Sequence, residues 1–174
     1  MNFNLLVTTS RFNEENASAE LWFILLTCGD PYPIISSTQY PGVITALTEI
    51  NPRDVIQELR KLIEIDPEFL QYILKVVPID FVCETNVNVI NEIIQSKLDE
   101  FLNEGESFRI LLKRRKNKLI NRNKFIERVA RNITNEVDLE NPDKILRIES
   151  LGKFSGIGLL KPGEIIRSPS RPKS

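Results

Sequence analysis

Apolar and polar positions change their period several times along this chain, and the changes mark out an alternation of strands and helices. Phe3–Thr9 (FNLLVTT) is rich in apolar and β-branched residues and predicts a strand. Glu14–Cys28 predicts a helix, with Asn13 as its cap and Glu14 and Glu15 at its positive end. Gly29-Asp30-Pro31 stops it, and Pro33–Ser37 and Val43–Thr48 predict strands on either side of the Tyr40-Pro41-Gly42 turn. Asn51-Pro52 joins a cap to proline at the first helical position, after which Val55, Ile56, Leu59, Leu62 and Ile63 line one helical face. Asp66-Pro67 repeats that start signal before Phe69, Leu70 and Ile73, predicting a short helix. Lys75–Cys83 predicts a strand interrupted by Pro78, which places it at a sheet edge or a bulge.

This β-α-β-β-α-(α)-β order matches the split βαβ, ferredoxin-like plan. Thr85 or Asn86 then caps a long helix with Ile90, Ile93, Ile94, Leu98, Phe101 and Leu102 facing the core. Gly105 ends its loop, Phe108–Arg114 predicts a strand, and Asn121–Ile133 a helix with Phe125, Ile126, Val129, Ala130 and Ile133 inward. Asn141-Pro142-Asp143 makes a turn before strands Lys144–Glu149 and Phe154–Leu160, joined around Gly152. From Pro162 onward the chain is rich in proline and serine, and its last several residues are predicted to be disordered. The fold class is α+β.

The 174 residues suffice for one domain of ordinary size or two small ones, and a hydrophobic content of 41% supports a real core. No apolar stretch approaches the roughly 18 residues of a membrane span. The opening lacks the basic start of a signal peptide, so a cytoplasmic protein without membrane contact is expected. Cys28 and Cys83 read as buried thiols, with a disulfide as the alternative. Histidine is absent, which excludes an imidazole base, Ser–His and Cys–His pairs and histidine-bound metal.

Charge changes the picture most. Residues 1–107 hold 6 basic and 17 acidic residues, whereas residues 108–134 hold 10 basic residues and only Glu127 as an acid. Lys124, Arg128 and Arg131 are spaced i, i+4, i+7 on the side of the last predicted helix opposite its apolar stripe. Lys113, Arg114, Arg115, Lys116 and Lys118 occupy the strand end and loop before it. Together these eight cations predict one basic ridge for a polyanion, whether RNA, DNA or anionic lipid. The competing reading is a solvated face, or one neutralised by the acidic N-terminal part. Phe125, the only aromatic residue between Arg109 and Arg131, faces inward, which favours recognition of backbone shape over base stacking.

A second polar cluster, Glu14, Glu15 and Glu20 with Ser10 and Arg11, has the residue types for metal binding or acid–base work. The favoured reading is a helix start carrying its customary acids. Neither GxGxxG nor GxxxxGK[ST] occurs, and no helix follows the glycine-rich Gly152–Gly158 run to aim its dipole at a phosphate. No catalytic residue, metal site or cofactor is therefore expected.

The chain from about Asp66 onward resembles a THUMP domain, the RNA-binding module of tRNA-modifying enzymes. The resemblance lies in Lys75-Val76-Val77-Pro78, Glu106-Ser107-Phe108-Arg109, Lys113-Arg114-Arg115, Val137-Asp138-Leu139-Glu140-Asn141-Pro142-Asp143-Lys144 and Gly152-Lys153-Phe154-Ser155-Gly156-Ile157. The chain as a whole is similar to stand-alone THUMP proteins in which a ferredoxin-like region precedes the THUMP fold, and which serve as adaptors for tRNA cytidine acetyltransferase. The organisation implied is an N-terminal ferredoxin-like region at 1–65, a THUMP RNA-binding domain at 66–162 and a flexible tail at 163–174. The function implied is non-catalytic: the eight ridge cations hold tRNA by its acceptor end and backbone and present it to an acetyltransferase that forms N4-acetylcytidine in the D-arm. Related THUMP proteins carry thiouridine synthase or methyltransferase domains, and none is expected after the last strand here. The alternatives are a guide subunit for tRNA thiolation or methylation, an RNA-free scaffold pairing acidic and basic parts between subunits, and a small hydrolase using the N-terminal carboxylates. The Val137–Asp143 run reads as fold-shaping turn chemistry, and Arg147 is left outside the site.

Overall fold

The computed structural model describes residues 1–115, 118 and 120–169. In chain order the elements are β1 (Leu5–Thr9), α1 (Glu14–Thr27), β2 (Ile34–Ser37), β3 (Val43–Leu47), α2 (Pro52–Ile65), β4 (Ile73–Pro78) and β5 (Phe81–Glu84). They continue with α3 (Val87–Phe101), β6 (Phe108–Arg114), α4 (Arg122–Ala130), β7 (Lys144–Leu151), β8 (Phe154–Leu160) and β9 (Ile166–Arg167). Two compact units result, one from Asn2–Ile79 with the segment after Pro162, the other from Asp80–Pro162.

In the first unit the sheet order is β2-β3-β1-β4-β9, with neighbouring strands antiparallel. Its first four strands have the arrangement of the ferredoxin-like plan. Alternation carries Leu5 and Val7 of β1, Ile44 and Ala46 of β3 and Val76 of β4 into one core, where Leu21, Ile24 and Leu25 of α1 meet Val55, Ile56 and Leu59 of α2. The Asn51 side chain caps α2 by accepting the Arg53 N–H at 2.9 Å, and Pro52 opens it, as the sequence predicts. Helix α1 is apolar on its outer side as well, with Trp22, Phe23 and Leu26 exposed.

Three expectations are corrected here. Residues 66–72 form turns rather than a short helix. The Glu20 carboxylate on α1 accepts the N–H groups of Gln71, Tyr72 and Ile73 at 2.6, 3.1 and 2.7 Å, and Ile73 already pairs with Thr9 as the start of β4. A helix this short has too few internal bonds to compete with that capture. Lys75–Cys83 is likewise two strands in different sheets, because Pro78 ends β4 and the next two N–H groups diverge. Ile79 donates to Asn4 O at 2.9 Å and Asp80 to Ile157 O at 2.8 Å. The division between units thus falls at 79/80, not at 65/66.

The expected flexible tail at 163–174 is also ordered in its first part. Ile166 and Arg167 pair with Val76 and Lys75, Ser168 N–H donates to Leu74 O at 3.0 Å, and Ile166 is buried in the first core. Arg60 donates to Gly163 O, and Arg53 lies 3.3 Å from Glu164. Residues 170–174 lie outside the described residues.

The second unit has sheet order β5-β8-β7-β6, with β6 and β7 parallel and joined through α4. Phe108, Ile110 and Leu112 of β6, Leu146 and Ile148 of β7 and Ile157 of β8 share the face covered by α3 (Ile90, Ile94) and α4 (Phe125, Val129). Asn86, rather than Thr85, caps α3, accepting the N–H groups of Asn88 and Val89 at 2.8 and 3.4 Å. The Thr85 hydroxyl instead lies 2.8 Å from that of Ser155. Cys28 and Cys83 are free and pack against the first and second cores respectively, and burial pushes both thiols up. Among the described residues no helix is long and apolar enough to cross a membrane.

Candidate nucleic-acid interface

Strand β6 and helix α4 carry the basic stretch, and each does so because its other side is needed in the core. On α4, Phe125 and Val129 are buried, so Lys124, Arg128 and Arg131 fall on the opposite, exposed side. They extend over about 10 Å at about 1.5 Å per residue. The Asn121 side chain fixes the start of this helix by accepting the Lys124 N–H at 3.1 Å. The helix ends at Ala130 rather than Ile133, and Arg131 is its C-terminal cap residue. Arg122, exposed in the first turn, belongs to the same basic surface. Helical spacing separated it from the i, i+4, i+7 set, although its place in the basic run was the available signal.

At the end of β6, alternation sends successive residues to opposite faces of the sheet. Lys113 and Arg114 are both exposed, and Arg114 Nη1 donates to Ile120 O at 2.8 Å, closing the connection to α4 over the buried Ile120. Lys118 is exposed, while Lys116 lies outside the described residues. Lys113, Arg114, Lys118, Lys124, Arg128 and Arg131 enter no ion pair among the described residues.

Arg115 behaves differently from the other predicted contacts. Its Nη1 lies 2.5 Å from Glu149 Oε2, and its side chain is only 10% exposed. Glu149 is fully buried on β7, where its Oε1 also takes Arg147 Nε at 2.7 Å and Nη2 at 2.6 Å. The guanidinium of Arg115 is therefore committed to a carboxylate, which the sequence reading of it as a free phosphate contact missed. Arg147, left out of the predicted site, is the other half of the same arrangement.

The second polar cluster resolves into structural bonds. Glu14 Oε1 accepts the Gly42 N–H at 2.6 Å, and that bond holds the Glu14 carboxyl below its usual range. Glu20 is occupied by the N–H groups of Gln71, Tyr72 and Ile73. Among the described residues no three carboxylate, cysteine or histidine side chains gather as a metal site. A polar groove in the second unit is lined by Glu104, Gly105, Thr134, Asn135 and Glu136, and its two carboxylates make it unsuited to phosphate.

Residues 84–160 match the family model described as THUMP domain. Similar solved structures include PH1313 from Pyrococcus horikoshii Ot3, with TM-score 0.69 and 20% identity over 97% of this chain and 56% of that one. TrmN from Thermus thermophilus has TM-score 0.61 and 15% identity, covering 91% of this chain and 46% of that one. A 4-thiouridine synthetase solved as an RNA complex with bound ATP has TM-score 0.55 and 11% identity, covering 95% and 42%. This chain spans about half the length of those proteins. No curated protein matches it. At these identities the likeness is one of fold, and it runs through both units. An α+β chain in which a ferredoxin-like sheet is joined to the helix-covered sheet of residues 84–160 is thus one that carries a THUMP domain.

Proposed function

We propose that the chain binds tRNA through the exposed cations of β6, the following loop and α4, and does so without catalysing a reaction itself. The carrying observation is that Lys113, Arg114, Lys118, Lys124, Arg128 and Arg131 stand on a THUMP domain with no acidic partner among the described residues. Their charge suits a sugar–phosphate backbone, and Phe125, buried beneath α4, offers no stacking surface. The acceptor end of tRNA is the part held, and the partner is a tRNA-modifying enzyme, foremost a cytidine acetyltransferase forming N4-acetylcytidine. The non-catalytic role is supported by the absence of histidine and by the structural duties of Glu14 and Glu20.

Charge reversal at Lys124, Arg128 and Arg131 tests the binding site. The triple variant is expected to fold and to lose tRNA in a gel shift at moderate salt; unchanged affinity rejects the assignment. Nucleoside analysis of tRNA from cells lacking the protein tests the adaptor role, with loss of N4-acetylcytidine expected. A second reading, service to tRNA thiolation, is favoured by the fold shared with a 4-thiouridine synthetase solved with RNA. Loss of thiouridine with intact N4-acetylcytidine would select it.

A further inference from the structure

Arg114, the last residue of β6, and Arg115, which follows it, are fastened to different partners. Arg114 donates to the carbonyl of Ile120, the residue just before the α4 cap. Arg115 crosses to β7 and meets a carboxylate that has no contact with solvent. That carboxylate, Glu149, presents one oxygen to Arg115 and the other to the forked Nε and Nη2 of Arg147. Its neighbours in register are Lys113 on β6 and Gly156 on β8, while Arg147 lies opposite Gly158. The two glycines bring no side chain to that face, which leaves room for the long chains of Arg147 and Glu149.

A buried ion pair adds little net stability over a well-packed apolar substitute, but its geometry is directional and breaking it is costly. Drawing Arg115 out to a phosphate would leave Glu149 buried with one of these two guanidinium partners gone. Keeping it in place instead holds the chain against β7 just where β6 ends, between the strand and the start of α4.

We propose that Arg115, Glu149 and Arg147 are positioning residues for RNA binding: the triad ties the end of β6 to β7 so that Lys118 and the α4 cations face one backbone, and Arg115 itself touches no phosphate. This rests on the reading of the ridge as the tRNA site.

The test uses the full chain and an unmodified tRNA transcript, with Kd measured across a KCl series for the parent, R115M, E149Q, the R115M/E149Q double variant and R128Q. Arg128 serves as the direct-contact reference, and its loss is expected to reduce the log–log salt slope by about 0.7–0.9. R115M is expected to leave that slope unchanged while weakening binding about fivefold. Amide hydrogen exchange over residues 112–121 should accelerate in the same variant. The double variant should bind no worse than the weaker single one, because both break one linkage. A slope reduced by R115M as much as by R128Q would make Arg115 a phosphate contact and overturn the proposal. So would additive losses in the double variant, or binding and exchange unaffected by R115M. If R128Q also leaves affinity and slope untouched, the ridge reading itself fails. Should E149Q not fold, R115M decides alone, since it leaves Glu149 paired with Arg147.

Discussion

Ser107 and Asp143 hold each other reciprocally: the Asp143 carboxylate accepts the Ser107 N–H at 2.8 Å and its hydroxyl at 3.0 Å, while Ser107 Oγ accepts the Asp143 N–H at 3.1 Å. The bonds from Ser107 hold the Asp143 carboxyl below its usual value near 3.8. Nearby, the N–H groups of Asn141 and Glu140 lower Asp138, and the Asn103 N–H lowers Glu106. Carboxyls lowered by folding stabilise the native state above their unfolded values, and that contribution fades as pH falls through the folded ones. The melting temperature of the THUMP unit should therefore fall as pH drops below about 4. D143N should shallow that dependence; an identical acid limb in the variant would remove Asp143 from the account.

The Asn86 cap of the same unit is separable from RNA binding. N86A removes the acceptor for the first N–H groups of α3 and is expected to cost about 1 kcal/mol by denaturant unfolding. T85A should not reproduce this as a capping loss, because that hydroxyl serves Ser155. A helix-start signature that follows Thr85 instead would contradict the cap assignment.

Core and ridge on α4 should respond in opposite ways. F125A empties a fully buried site and is expected to cost about 3–5 kcal/mol. K124Q and R128Q, one position before and three after, should change stability by less than about 0.5 kcal/mol yet weaken tRNA binding and its salt dependence. Chemical denaturation beside binding isotherms separates the two classes. Loss of stability in the glutamine variants would mean that these cations serve the fold.

Gly42 offers a backbone test in the first unit. Its φ is +75°, and a Cβ there would meet Thr9 O at 2.6 Å. G42A should therefore destabilise, and by more than the roughly 1 kcal/mol that alanine gains over glycine where the backbone accepts it. A neutral G42A would show that the turn can shift away from β1.

Much of the fold was legible because its signals are local. Asn51-Pro52 starts α2, and the alternation in Phe108–Arg114 gives β6 with its observed limits. The errors share a cause, which is that distant residues decide them. Nothing near Pro67 announces that Glu20 will take the following N–H groups, and nothing near Ile166 announces pairing with Val76. The ridge was legible on α4, where 3.6-residue periodicity separates Phe125 from Arg128. It was less so at Arg114-Arg115, where the partner of each guanidinium depends on strand register and on a carbonyl six residues ahead.

The late return of Ile166 and Arg167 to the first sheet makes the THUMP unit an insertion, entered after Ile79 and left at Pro162. That unit is a continuous stretch which two cuts would release whole. The ferredoxin-like unit is sewn from two separate stretches, Asn2–Ile79 and the segment after Pro162, and a stop codon at 163 would open a gap beside Val76 and bare the outer edge of β4. The closing segment works as a clasp for the half of the molecule farthest from it in sequence, so small deletions there should injure the beginning of the protein before its middle.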